Sequence, residues 1–256
     1  MLAALHAEWT KLCTLRAPGL LLLAAVAGTV ALSAAASAAA VCPGPGCPVD
    51  PTKTSLTGVL LGQVIIAVLA VLSVGGEYSS GMMTTTLIAM PARGTVLAAK
   101  ALTLTGPVLV AGAVATAGSL LVGFALLPDG AAVPGSSVLE LGYPVNIRAA
   151  TGSVLYLGLI ALLSLGIATI VRSSAAAIGI VLGLLFVLPI LAAVVTDPDW
   201  QRRLEQIAPS SAGLAIQATT GQESLPISPW AGLGVLAGWA AAALLLGAVL
   251  LRLRDA

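Results

Sequence analysis

Few side chains in this sequence are of a type and spacing that could do chemistry. The one histidine, His6, lies outside every long apolar run, so a serine hydrolase working inside a membrane would have no base. Three scattered cysteines and that histidine do not make a zinc site of the familiar kinds. No Gly-Lys dipeptide occurs, so there is no P-loop to cradle a phosphate and the chain cannot by itself be a motor of that type. Ion-coupled transporters usually carry a carboxylate or base near the membrane midplane, and none of the apolar runs has one. Coordination of an ion by backbone carbonyls stays open. Catalysis by this chain is not expected.

The residues with chemical potential gather instead in two polar stretches. In the first, Leu2, Leu5, Trp9 and Leu12 recur at helical spacing and form one apolar face, with His6, Glu8, Thr10, Lys11 and Thr14 on the remainder. This pattern predicts an amphipathic helix lying on the membrane over residues 1–16, with Trp9 in the headgroup layer and Lys11 and Arg16 reaching lipid phosphates. Arg16-Ala17-Pro18 should break it from the first long apolar run. In the second stretch, residues 76–94, Tyr78, Met82, Met83, Leu87 and Met90 fall on one broad helical face, and Pro91 stops the helix ahead of Arg93. Methionines adapt to irregular partner surfaces, so this face suits docking by another protein. Glu77 and Gly81 lie in the same stretch; a carboxylate at the membrane edge should pair with a base or reach water.

The elements that must position these residues can be read from composition. Of 256 residues, 59% are hydrophobic and 8% charged, with mean hydropathy +1.07. A soluble domain carries about 25% charged residues, and disordered chains are polar and charged, so both classes are excluded. Net charge is +1, and no basic arm suggests nucleic acid. A bilayer core about 30 Å thick needs about 20 apolar residues in helix. Six continuous stretches qualify, at about 18–40, 56–75, 101–127, 149–171, 175–196 and 229–251, within a transmembrane region of residues 17–256. Their lack of alternation excludes a β-barrel. The expected fold class is therefore an all-α polytopic membrane protein with six spans.

An even number of spans puts both termini on one side. That side would hold Lys11, Arg16, Arg93, Lys100, Arg172, Arg252 and Arg254, seven of the eleven basic residues, and is expected to be cytoplasmic. The first span has the basic lead and small-residue tail of a signal peptide, but its apolar run is of span length and it is expected to be retained. Cys42 and Cys47 frame Cys-Pro-Gly-Pro-Gly-Cys on the outer side, where a disulfide would persist as a local staple; two free thiols are the alternative. Residues 199–208 predict a short outer amphipathic helix ended by Pro209, in a connection that caps the bundle. Pro107 and Pro189 should bend spans three and five, and Gly179 and Gly183 have the GxxxG spacing that permits close helix approach.

Glu8-Trp9-Thr10-Lys11-Leu12-Cys13-Thr14-Leu15-Arg16 resembles the N-terminal amphipathic helix of bacterial ABC-2 type permeases. Glu77-Tyr78-Ser79-Ser80-Gly81-Met82, followed by Pro91-Ala92-Arg93 and Lys100, looks like their first cytoplasmic loop, and Pro209-Ser210-Ser211-Ala212-Gly213 is similar to a segment before their last span. Cys13 stands where the family would place a base. The resemblance implies a six-span exporter subunit of the cell membrane that pairs with a second copy or a related permease. It implies a separate cytoplasmic ABC ATPase that carries the ATP and magnesium, with none bound by this chain. Residues 77–90 would be the coupling helix seated in that ATPase, and residues 1–16 the connecting helix. The mostly aliphatic interior favours amphiphilic cargo such as a drug, peptide or lipid. The competing classes are a stand-alone interaction or immunity protein and a secondary transporter or channel.

Overall fold

The structure is a computed structural model and describes residues 2–40, 50–89, 93–126 and 144–253. These residues form helices, with no strand among them. In chain order the helices are α1 (Leu2–Thr14), α2 (Arg16–Ala38), α3 (Pro51–Ser55), α4 (Val59–Ser79), α5 (Met82–Ala89), α6 (Arg93–Leu126) and α7 (Pro144–Val171). Then come α8 (Ser174–Leu182), α9 (Leu188–Val194), α10 (Pro198–Ile207), α11 (Pro209–Leu214) and α12 (Pro229–Leu253). A π-helical turn, Gly183–Val187, joins α8 and α9 into one rod. Among the described residues six helices are long and apolar enough to cross a membrane: α2, α4, α6, α7, the α8–α9 rod and α12. The chain is a multi-pass helical membrane protein.

Local sequence explains where these helices start and stop. Proline is the first residue of α3, α7, α10, α11 and α12, a position where its missing N–H is not needed. Asp50 and Asp197 add side-chain caps to α3 and α10. Between α1 and α2 the chain turns at Leu15, which is extended, and Pro18 falls within the first turn of α2. The bend therefore lies just before Arg16-Ala17-Pro18. α6 starts at Arg93, well ahead of residue 101, and runs for 34 residues. At 1.5 Å per residue it is roughly 51 Å long and exceeds a hydrocarbon core of about 30 Å.

The centre of the bundle is α7, α4 and α6, with 67%, 56% and 44% of their most apolar stretches buried, against 17% for α2 and 22% for the α8–α9 rod. The outward faces of the peripheral helices carry Leu20, Leu23, Val194, Leu245 and Leu246, exposed side chains that lipid would cover. Tyr156 on α7 is completely enclosed and donates its hydroxyl to Gln63 on α4. Close approach is built from small residues: a Cβ at Gly232 would lie 2.0 Å from the Ala212 carbonyl oxygen, so only glycine admits α11 against α12. The Gly179 and Gly183 pair does not serve this purpose among the described residues, none of which packs within 4 Å of either Cβ position from elsewhere in the fold.

At the end of the bundle remote from α1, the connection after α9 folds back into the protein. Ser210, Ala212 and Gly213 are buried, and the α10 helix precedes them with Trp200 and Ile207 exposed and Leu204 half-buried. Pro209 ends α10 and also begins α11. Pro189 has no N–H to return to the Leu185 carbonyl, and Ser210 Oγ donates to that carbonyl at 2.6 Å. Asp50 accepts from the Thr219 N–H at 2.6 Å and the Thr220 N–H at 3.0 Å, and Arg148 donates to the Ala218 carbonyl at 2.5 Å. Cys42 and Cys47 lie outside the described residues.

Candidate functional site

Four alternating charges from three helices meet at the end of the bundle where α1 sits. Glu8 and Lys11 are three apart on α1 and so share a face. Glu77 is in the last turn of α4, and Lys100 is in the early turns of α6. Lys11 Nζ lies 2.9 Å from Glu8 Oε1 and 2.8 Å from Glu77 Oε1. Lys100 Nζ lies 2.8 Å from Glu8 Oε2 and 2.6 Å from Glu77 Oε1. Each ammonium bridges both carboxylates, and the four formal charges cancel.

Burial makes this arrangement consequential. Glu8 is 7% exposed, Glu77 8% and Lys100 4%. Removing an ion from water costs several kcal/mol, about 20 in the idealised limit, so such groups persist only when paired and hydrogen-bonded. Burial pulls the Lys11 ammonium toward deprotonation, but hydrogen bonds and charge from Glu77 and Glu8 outweigh it and hold the group above its ordinary 10.5. The ring therefore fastens α1 to the ends of α4 and α6. Glu77 Oε2 is the exception: it is buried and has no hydrogen-bond partner among the described residues.

Beside the ring, α1, α2, α4 and α6 enclose a cleft of about 440 Å³. Its polar wall is the ring with Thr14, Ser73, Ser80 and Thr103, and its apolar wall is mainly leucine from α1, α2, α4 and α6, with Met82 of α5 at its edge. Next to Glu77, the Tyr78 ring lies 5.4 Å beneath the guanidinium of Arg172, which sits at the α7–α8 turn with φ +60°. Arg93 donates to the Leu251 carbonyl at 2.6 Å, so the start of α6 holds the end of α12.

The structure rearranges several sequence expectations. A single helix over residues 77–90 is not formed, because Gly81 takes φ +70° and separates α4 from α5. Glu77 and Tyr78 thus belong to the spanning helix, while Met82, Met83 and Leu87 belong to α5. The two methionines do not share a free face: Met83 is 2% exposed and Met82 45%. Ile88, which the methionine pattern passed over, is 77% exposed. Pro91 and Met90 lie outside the described residues. Arg93 ties two helices together within the chain. Lys11 turns inward to Glu8 and Glu77, whereas Trp9 is half exposed and Arg16 is exposed.

Sequence reasoning missed the closed ring. It treated Lys100 as one of the orienting charges and the end of the loop motif, and Glu8 as part of the polar remainder of the first helix. A signal was present: Lys100 is a lone charge with alanines and leucine around it, and such a charge needs a partner. Among the described residues no group of three or more His, Cys, Asp or Glu side chains is gathered as a metal site. No protein-family model matches the chain, and no curated protein is similar to it at a significant level.

Proposed function

We propose that this chain is the membrane-spanning subunit of an ATP-driven exporter of the ABC-2 type, working with a separate cytoplasmic ATPase. The observation that carries the reading is the ring of Glu8, Lys11, Glu77 and Lys100. It makes α1 and the ends of α4 and α6 one mechanical unit, with α5 attached to it through the Gly81 break. A partner pressing on α5 would move α4 and α6 together and carry α1 with them. The basic residues put this end in the cytoplasm, with both termini. α5 exposes Met82 in part and Ile88 for the most part, two large apolar side chains on one short helix.

In this mechanism the ATP and magnesium belong to the partner. Closure of the ATPase pushes on α5, the ring transmits the push, and the spans tilt to alter access along a path shared with a second permease subunit. The cargo is amphiphilic, in keeping with an interior almost without charge. Purification of the tagged chain from its native membrane in mild detergent tests the assembly. A P-loop ATPase should co-purify in fixed ratio, and Met82→Asp with Ile88→Asp should release it while the variant still inserts. A chain that repeatedly purifies without any ATPase would move the reading to a stand-alone membrane protein.

A further inference from the structure

We propose that the cleft beside the charge ring is a binding site for a zwitterionic amphiphile whose head carries a primary ammonium and a phosphate, as in phosphatidylethanolamine. Within the ring one acceptor is unmet and one donor is spare. Glu77 lines the cleft, and its Oε2 is buried without a partner among the described residues. A carboxylate oxygen left dry and unpaired is costly, so a ligand N–H that reaches it is favoured. Lys11 lines the same cleft, and its side chain remains 28% exposed. Two of its three N–H groups go to Glu8 and Glu77, which leaves one for an anionic oxygen.

The rest of the cleft fits the tail. Leu12, Leu15, Leu21, Leu69 and Leu72 line it, on α1, α2 and α4 and in the turn between α1 and α2. Apolar wall outweighs polar wall, the composition expected of a site that holds an acyl chain by burial and a head by a few placed groups. Because the ring is neutral, a head of net charge adds an uncompensated charge, whereas a zwitterion does not. A quaternary head offers no N–H to Glu77, so trimethylated heads should bind less well. Binding in the cleft does not require the ATPase.

The test compares phosphatidylethanolamine with phosphatidylcholine of the same chains, as lipids retained by the purified full chain in native mass spectrometry after exchange through mixed vesicles. Lyso forms and dodecylammonium, added as competitors, separate a bilayer lipid from a free single-chain amphiphile. We expect at least tenfold preferential retention of one phosphatidylethanolamine, reduced to near parity in Glu77→Gln. Leu72→Trp, which leaves the ring intact and narrows the apolar wall, should lower retention of both lipids. Equal retention by the unaltered protein would overturn the proposal and leave Glu77 Oε2 to an ordered water. So would a preference that survives both substitutions, since it would place the lipid elsewhere.

Discussion

Lys100 and Lys11 hold the same two carboxylates, yet their surroundings differ enough to separate them by experiment. Lys100 is 4% exposed, so Lys100→Met leaves Glu8 and Glu77 to share one ammonium in a nearly dry place. Breaking a buried pair in this way costs about 3–5 kcal/mol. Lys11, with its side chain 28% exposed, should cost less when replaced by Met because water can take over part of its role. Thermal unfolding in detergent should order the three proteins as unaltered, Lys11→Met, then Lys100→Met. The pH dependence has a definite sign. Lys11 titrates higher in the fold than free, so its contribution is complete below 10.5 and disappears as pH climbs through the raised value. The unfolding midpoint should therefore show an alkaline fall that is absent from Lys11→Met.

At the scale of elements, the α8–α9 rod and α11 depend on each other through one hydrogen bond. Ser210→Ala leaves the Leu185 carbonyl without its donor, a loss of about 1–3 kcal/mol for a buried acceptor. Pro189→Ala supplies a backbone N–H there, so the cost of Ser210→Ala should shrink in that background. A double-mutant cycle on unfolding free energy measures the coupling. The six spans were legible in the sequence because hydrophobic run length is a local property, as was the break near Pro18. Three features were not. The Gly81 break was hidden because Tyr78, Met82, Met83 and Leu87 continue the helical period across it. Met83 and Met82 look equivalent in sequence, and only the packing of α5 against α4 separates buried from exposed. The charge ring joins positions 8, 11, 77 and 100, and one-dimensional patterns carry no information on which distant charges meet.

For the whole molecule, the ring makes α1 a part of the bundle rather than a separate surface helix. Gly81→Ala would force a left-handed residue without glycine's freedom, at about 1–2 kcal/mol. If force passes from α5 into α4, this change should lower transport more than it lowers the unfolding midpoint. The most direct measurement of the central proposal is site-specific photocross-linking in the native host, with a photoreactive residue at Ile88 on α5. A control probe at Leu245 sits on the outward face of α12, which is exposed to lipid in this account. An adduct between the Ile88 probe and a P-loop ATPase is expected, and none from Leu245. An Ile88 probe that captures only lipid, or a protein without a nucleotide site, would contradict it.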